Sequence, residues 1–146
     1  MKKKTNLFDV TEVIIKLLGE TYVFDVKDSL DLQGADIEAL LKNHSEEYHK
    51  WRMVRDKIKA LLRKKRFAYD CDYGDSFFTA YMQLSRSSQV NKSLIDGYLI
   101  GKAKFVKMQK EIQYLEDRLD KLDTIIYSLE HRKHMIHLLV TNIGCQ

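Results

Sequence analysis

Nine of the seventeen side chains from Lys50 to Arg66 (KWRMVRDKIKALLRKKR) are cationic, and within the run only Asp56 opposes them. The chemistry such a run offers is neutralisation of phosphate. On a helix rising about 1.5 Å per residue it covers about 25 Å, a length matched to several nucleotides of backbone. Each neutralised phosphate releases condensed counterions, so such a surface binds nucleic acid strongly at low salt and with little sequence preference. A solvated helix face is the competing reading, but a purely structural face usually alternates sign, and the run lacks the balancing Glu residues at four-residue spacing. Arg55, Lys57, Lys59, Arg63, Lys64, Lys65 and Arg66 are therefore the expected phosphate contacts. Trp51 lies inside the run, and Phe67, Tyr69, Tyr73, Phe77, Phe78 and Tyr81 follow it. Rings so placed can stack on the bases of a single strand. Tyr69 and Tyr73 are the better candidates, since Trp51 fits an apolar seam and Phe77, Phe78 and Tyr81 fit packing against the helices.

Other constellations are weaker. His131, His134 and His137 sit in HRKHMIH with Arg132 and Lys133; His131 and His134 share a helix face, His137 is rotated away, and no Cys or carboxylate completes a metal-ligand spacing. Arg132 and Lys133 read better as a second, minor basic patch near a helix C-terminus, where cations are favoured. Asp70, Asp72 and Asp75 surround Gly74 without forming a complete calcium loop. There is no Walker sequence, and nucleophile, base and oxyanion groups cannot be paired. The expectation is a protein without catalytic site, metal or cofactor.

The elements that must carry the cationic run are helices. The 146 residues contain no proline and only six glycines, so few residues end a helix, and 45% are hydrophobic against 32% charged, a composition within the folded range. The net charge of +4 is uneven: residues 36–69 hold ten basic and five acidic groups, whereas residues 1–35 hold five and six. Asp9, Glu12 and Lys16 interrupt the apolar stretch behind Lys2–Lys4, which argues against a signal peptide, and no uncharged run is long enough to span a bilayer. Cys71 and Cys145 are expected as free thiols in a reducing compartment, and the expected location is the cytoplasm, the host's if the gene is carried by a phage.

Residues 5–18 predict a short amphipathic helix with Gly19 as its C-cap. Tyr22–Val26 reads as extended linker without a partner strand. From an N-cap at Asp36, Ile37, Leu41, His44, Tyr48, Trp51, Ile58 and Leu62 predict a helix reaching about Tyr69. Residues 70–92 lose that periodicity and predict a structured loop. A capping box of Ser93 and Asp96 then opens one long helix, with Gly97 and Gly101 inside it. Phe105, Met108, Ile112, Leu115, Leu119, Leu122, Ile126 and Leu129 recur at intervals of three and four, a seam of the a/d type. The predicted fold is all-α: long antiparallel helices in a hairpin, a short N-terminal helix and linker over 1–35, and a DNA-binding and oligomerisation region over 36–146. So long a seam predicts that a second subunit meets part of it.

The basic helix running into LLRKKRFAYDCDYGD, followed by KMQKEIQYLEDRLDKLDTIIYSLEHRKHMI with Arg132 and Ile136 beyond its Tyr-Leu, resembles the UvsY-type recombination mediator proteins of bacteriophages over roughly residues 36–140. The resemblance implies a ring-like homo-oligomer that organises single-stranded DNA and eases exchange of single-strand-binding protein for a RecA-like recombinase. It assigns DNA contact to Lys57, Lys59, Arg63, Lys64, Lys65 and Arg66, and assembly to the seam of Ile112, Leu115, Leu119, Leu122, Ile126 and Leu129. Three rivals remain: a coiled-coil scaffold or assembly chaperone with a solubilising basic face, a binder of an acidic protein tail, and a small metal-dependent nuclease built on Asp70, Asp72 and Asp75.

Overall fold

The computed structural model describes residues 12–33, 36–85 and 91–143. The chain is mostly helical, with one short antiparallel strand pair: β1 (Glu12–Leu17), β2 (Glu20–Asp25), α1 (Val26–Leu30), α2 (Ile37–Leu84), α3 (Lys92–Ile100) and α4 (Ala103–Ile143). It forms two compact units, one of Met1–Lys57 with Arg118–Gln146 and one of Ile58–Asp117.

In the first unit a β-hairpin replaces the predicted N-terminal helix and linker, so the fold is not purely α. Val13, Ile14 and Ile15 are β-branched and stiff at χ1, which favours a pleated strand over a helix. Tyr22–Asp25, expected to be extended but unpaired, finds its partner in the segment just before it. Ile15 pairs with Tyr22 and Val13 with Phe24, so Val13, Ile15, Leu17, Tyr22 and Phe24 share one face, on which Ile15, Leu17 and Phe24 are buried. The two-residue connection is Leu18–Gly19, with φ of 51° and 82°, the left-handed pair that a tight hairpin turn demands. Gly19 thus closes a turn and caps no helix. Residues 5–11 of the predicted helix lie outside the described residues. Asp25 caps α1 through its side chain, which accepts from the Asp28 N–H at 2.8 Å.

Trp51 organises this unit. Fully buried on α2, it meets Phe24 edge-on at 5.5 Å and Tyr22 at 6.5 Å, and its indole N–H donates to Glu47 at 2.9 Å. The C-terminal part of α4 buries Leu122, Ile125, Ile126, Leu129 and Ile136. It runs antiparallel to α2, since Tyr48 donates to Glu130 and Arg55 pairs with Asp123. The predicted α2 seam needs one adjustment: Leu40 is buried in place of the expected Leu41, which is exposed.

In the second unit α2 continues through the predicted loop as far as Leu84. Asp70, Gly74 and Ser76 mask a helical pattern of Tyr69, Tyr73, Phe77, Ala80 and Leu84. These pack with Ile95, Leu99, Phe105 and Met108. A mid-helix glycine costs about 1 kcal/mol relative to alanine, and this packing offsets Gly74 without using it. Residues 86–90 of the predicted loop lie outside the described residues. The cap of α3 is Asn91, whose side chain accepts from the Leu94 N–H at 2.8 Å, so Ser93 belongs to the helix. Asp96 instead accepts from the Tyr73 hydroxyl at 2.5 Å. The expected single helix breaks at Gly101, the C-cap of α3, and α4 starts at Ala103. Here too α2 and α4 pack antiparallel, with Lys104 on Asp72 and Lys65 on Glu111. No described helix is long and apolar enough to cross a membrane.

Trp51→Ala should lower stability by about 3–5 kcal/mol, read from the denaturant midpoint, while Trp51→Phe should cost less. An unchanged midpoint for the alanine variant would contradict the role given to this ring.

Candidate nucleic-acid interface

The cationic run is a continuous stretch of α2, and much of its charge is met inside the chain. In the first unit Lys50 lies 3.5 Å from Glu47 and 5.2 Å from the centre of the Trp51 ring. Arg52 lies over Tyr48 at 5.7 Å. Arg55 Nε stands 2.7 Å from Asp123, an ion pair too poorly aligned to be a hydrogen bond. Lys57 reaches Glu20 at 3.9 Å and the face of Tyr22 at 6.0 Å. In the second unit Lys65 pairs with Glu111 at 2.6 Å and Arg66 with Glu116 at 2.5 Å. The Lys65 ammonium holds the Glu111 carboxyl below its ordinary range, through the hydrogen bond first and the charge second. Apart from Glu47, the acids that balance the run stand on other elements rather than at four-residue spacing on α2.

Lys59, Arg63 and Lys64 are different: none has an acidic partner among the described residues. Arg63 and Lys64 are exposed and Lys59 is half-buried. Next to them Phe67 is 71% exposed. These four residues are the part of the predicted site that is both charged, or aromatic, and available.

The two stacking candidates belong to the fold. Tyr69 and Tyr73 stack on each other at 5.8 Å and meet Phe105 edge-on at 5.6 and 5.4 Å. The Tyr69 hydroxyl accepts from Gln109, and the Tyr73 hydroxyl donates to Asp96. That bond, followed by burial, pushes the Tyr73 phenol up to about 12. Both rings are half-buried, and their neighbouring rings and hydroxyl bonds tie them to the packing of this unit. Phe67, standing in sequence among six other rings, carries no local signal that sets it apart from them.

Sequence reasoning also missed a groove of about 410 Å³ in the second unit, lined by Leu61, Lys65, Lys107, Lys110, Glu111, Tyr114 and Leu115. Lys107 and Lys110 have no ion pair among the described residues. The signal that could have found it is their three-residue spacing on α4, which places both on one face beside the basic helix.

Arg132 is buried, which corrects its assignment to a surface basic patch; Lys133 beside it is exposed. The Arg132 guanidinium donates to the Asp31 carbonyl at 3.3 Å, and its Nε has no hydrogen-bond partner. Burial pulls its pKa below the usual value, against the opposing charges of Glu47 and Asp31. The assembly seam is likewise spent within the chain: Leu115, Leu122, Ile126 and Leu129 are buried, and Ile112 and Leu119 are half-buried. Packing within the chain thus covers most of this seam and leaves Ile112 and Leu119 partly open.

Among the described residues no three His, Cys, Asp or Glu side chains converge to hold a metal ion. Cys71 is a free, exposed thiol, and Cys145 lies outside the described residues. No family model matches the chain, and neither a curated protein nor a solved structure does.

His44 is buried beside this arginine. Burial pushes its pKa below 6.5, and the charges of Arg132 and Lys133 add to the shift. The unfolded chain therefore takes up a proton near pH 6.5 that the folded chain refuses. The stability this confers is full above pH 6.5 and declines as pH falls below it. The melting temperature should drop between pH 7.5 and pH 5.5, and His44→Gln should shrink the drop; an equal drop in the variant would contradict this assignment.

Proposed function

We propose that this chain is a non-catalytic, self-associating protein that binds single-stranded DNA and helps replace a single-strand-binding protein with a RecA-like recombinase. The observation that carries the DNA-binding part is the set of Lys59, Arg63 and Lys64 on α2, cations without internal counter-charge, with the exposed ring of Phe67 one turn away. Unpaired cations on a rigid helix bind phosphate without first breaking an ion pair, and an exposed ring offers a base a sequence-tolerant stacking surface. Lys107 and Lys110 extend the same positive field on α4 of that unit.

Few free cations per chain mean modest affinity per chain. Several linked copies on one strand turn weak contacts into strong retention, because each further contact is made at high effective concentration. Self-association, in a ring-like assembly, is therefore part of the proposal. The mediator role itself rests on the resemblance of residues 36–140 to the UvsY-type proteins. A scaffold whose basic face only solubilises it is the competing reading, and it predicts no retention of DNA at physiological salt.

Replacing Arg63, Lys64, Lys65 and Arg66 together by Ala should weaken binding of a labelled single strand at least about tenfold at low salt. The salt slope should flatten by about 0.7 for each phosphate that is no longer neutralised. Fluorescence anisotropy at two salt concentrations checks this, and superimposable titrations of variant and parent would overturn the assignment.

A further inference from the structure

The groove between α2 and α4 in the Ile58–Asp117 unit sets an apolar trough among unpaired cations. Of the residues that line it, Leu115 is buried, Leu61 is half-buried and Tyr114 is 43% exposed. Lys107, Lys110 and Tyr114 follow one another on α4 at intervals of three and four, the spacing of one helical face. Lys64 stands three residues from Leu61 on α2, which places the two on the same side of that helix. Lys64, Lys107 and Lys110 are exposed, and none has an ion pair among the described residues. Both helices therefore bring charge without a counter-ion to the edges of an apolar surface.

Phosphate neutralisation by itself needs exposed cations and no apolar trough. The two features together fit a ligand with a flat apolar body tied to an anion, and a nucleobase on its phosphodiester backbone has that form. The ion pair that lines the groove points the same way. Lys65 donates to Glu111 at 2.6 Å, and both residues are half-buried. Beyond that one bond the ammonium keeps donors and the carboxylate keeps acceptor sites, so the pair can serve the edge of a base, which carries donors and acceptors of its own. An acidic peptide is the rival occupant, and its carboxylates would meet that of Glu111 at like charge. The volume of about 410 Å³ suits one such group, since small-molecule sites begin at roughly 300 Å³.

We propose that this groove takes one unstacked base of the bound strand against Leu61, Tyr114 and Leu115, while Lys64, Lys107 and Lys110 hold the phosphates that flank it. This rests on the nucleic-acid reading and deepens it, because the site then recognises the base as well as the backbone. Every base has an apolar face, so leucine and tyrosine surfaces accept all of them and recognition stays tolerant of sequence. Preference for single strands follows. A base inside a duplex is paired and stacked and reaches the groove only after it is flipped out, so a duplex is held by the cations alone.

The test is fluorescence anisotropy of the full chain with a labelled oligonucleotide and with a strand of the same length made wholly of abasic sites, which keeps the phosphates and lacks the bases. The expected result is at least about tenfold tighter binding of the base-bearing strand, with equal salt slopes for the two. Tyr114→Ala, at an exposed position, should leave the circular dichroism and the abasic affinity unchanged and reduce the preference for bases at least about threefold. It should do so in a Phe67→Ala background as well, which separates the groove from that exposed ring. Lys107→Ala with Lys110→Ala should weaken both strands alike and lower the salt slope by about 0.7 for each phosphate released. Equal affinity of the parent for the two strands, or a preference that Tyr114→Ala leaves intact, would overturn the groove's role while phosphate binding stands. So would a labelled Glu-rich peptide that binds the parent and not Tyr114→Ala while the preference for bases persists in that variant, an outcome that assigns the groove to a protein. A parent that holds neither strand would refute the DNA-binding reading itself, and the groove's role with it.

Discussion

Counter-charge for the cations of α2 is supplied first from within the chain. Asp123 takes Arg55 in one unit, and Glu111 and Glu116 take Lys65 and Arg66 in the other. These exposed pairs add little stability by themselves. Their effect is to ration charge: they neutralise part of a run that would otherwise repel itself, and they leave Lys59, Arg63 and Lys64 without acid. The surplus is smaller than the run's composition implies and is confined to a shorter length of helix.

The second constraint is apolar. With no proline in 146 residues, α2 and α4 are long, and each must cover an apolar face. The hairpin covers one part through Phe24 on Trp51, and α3 covers another through Ile95 and Leu99. The a/d seam of α4 is consumed in this way, so surfaces for other molecules must be sought where the helices face outward. Phe67 stands at the meeting point of both constraints, apolar, exposed and next to the unpaired cations.

The long helices were legible because the spacing of Trp51, Ile58 and Leu62, and of Leu115 to Leu129, is periodic over many turns. The strand pair was not, because Val13, Ile14 and Leu17 satisfy a helical spacing as readily as an alternating one in so short a segment. The end of α2 was hidden by Asp70, Gly74 and Ser76, residues of turns and caps that tertiary packing of Tyr73 and Phe77 overrides. For the site, the cations were legible and their neutralisation was not. An acid on α4 that meets Lys65 lies 46 residues away, beyond any local window. The burial of Arg132 and the packing of the half-buried Tyr69 and Tyr73 rings escaped for the same reason.

If surplus cations of this helix hold phosphate, cations now neutralised inside the chain should join them once their acids are removed. Glu111→Gln with Glu116→Gln releases Lys65 and Arg66 while keeping the side-chain shape. The direct measurement is the affinity of this double variant for a single-stranded oligonucleotide across a salt series, beside the parent. The account predicts tighter binding and a steeper dependence on salt, by about 0.7 in slope for each cation that reaches a phosphate. Equal affinity and equal slope in the two proteins, with folding unchanged, would contradict it.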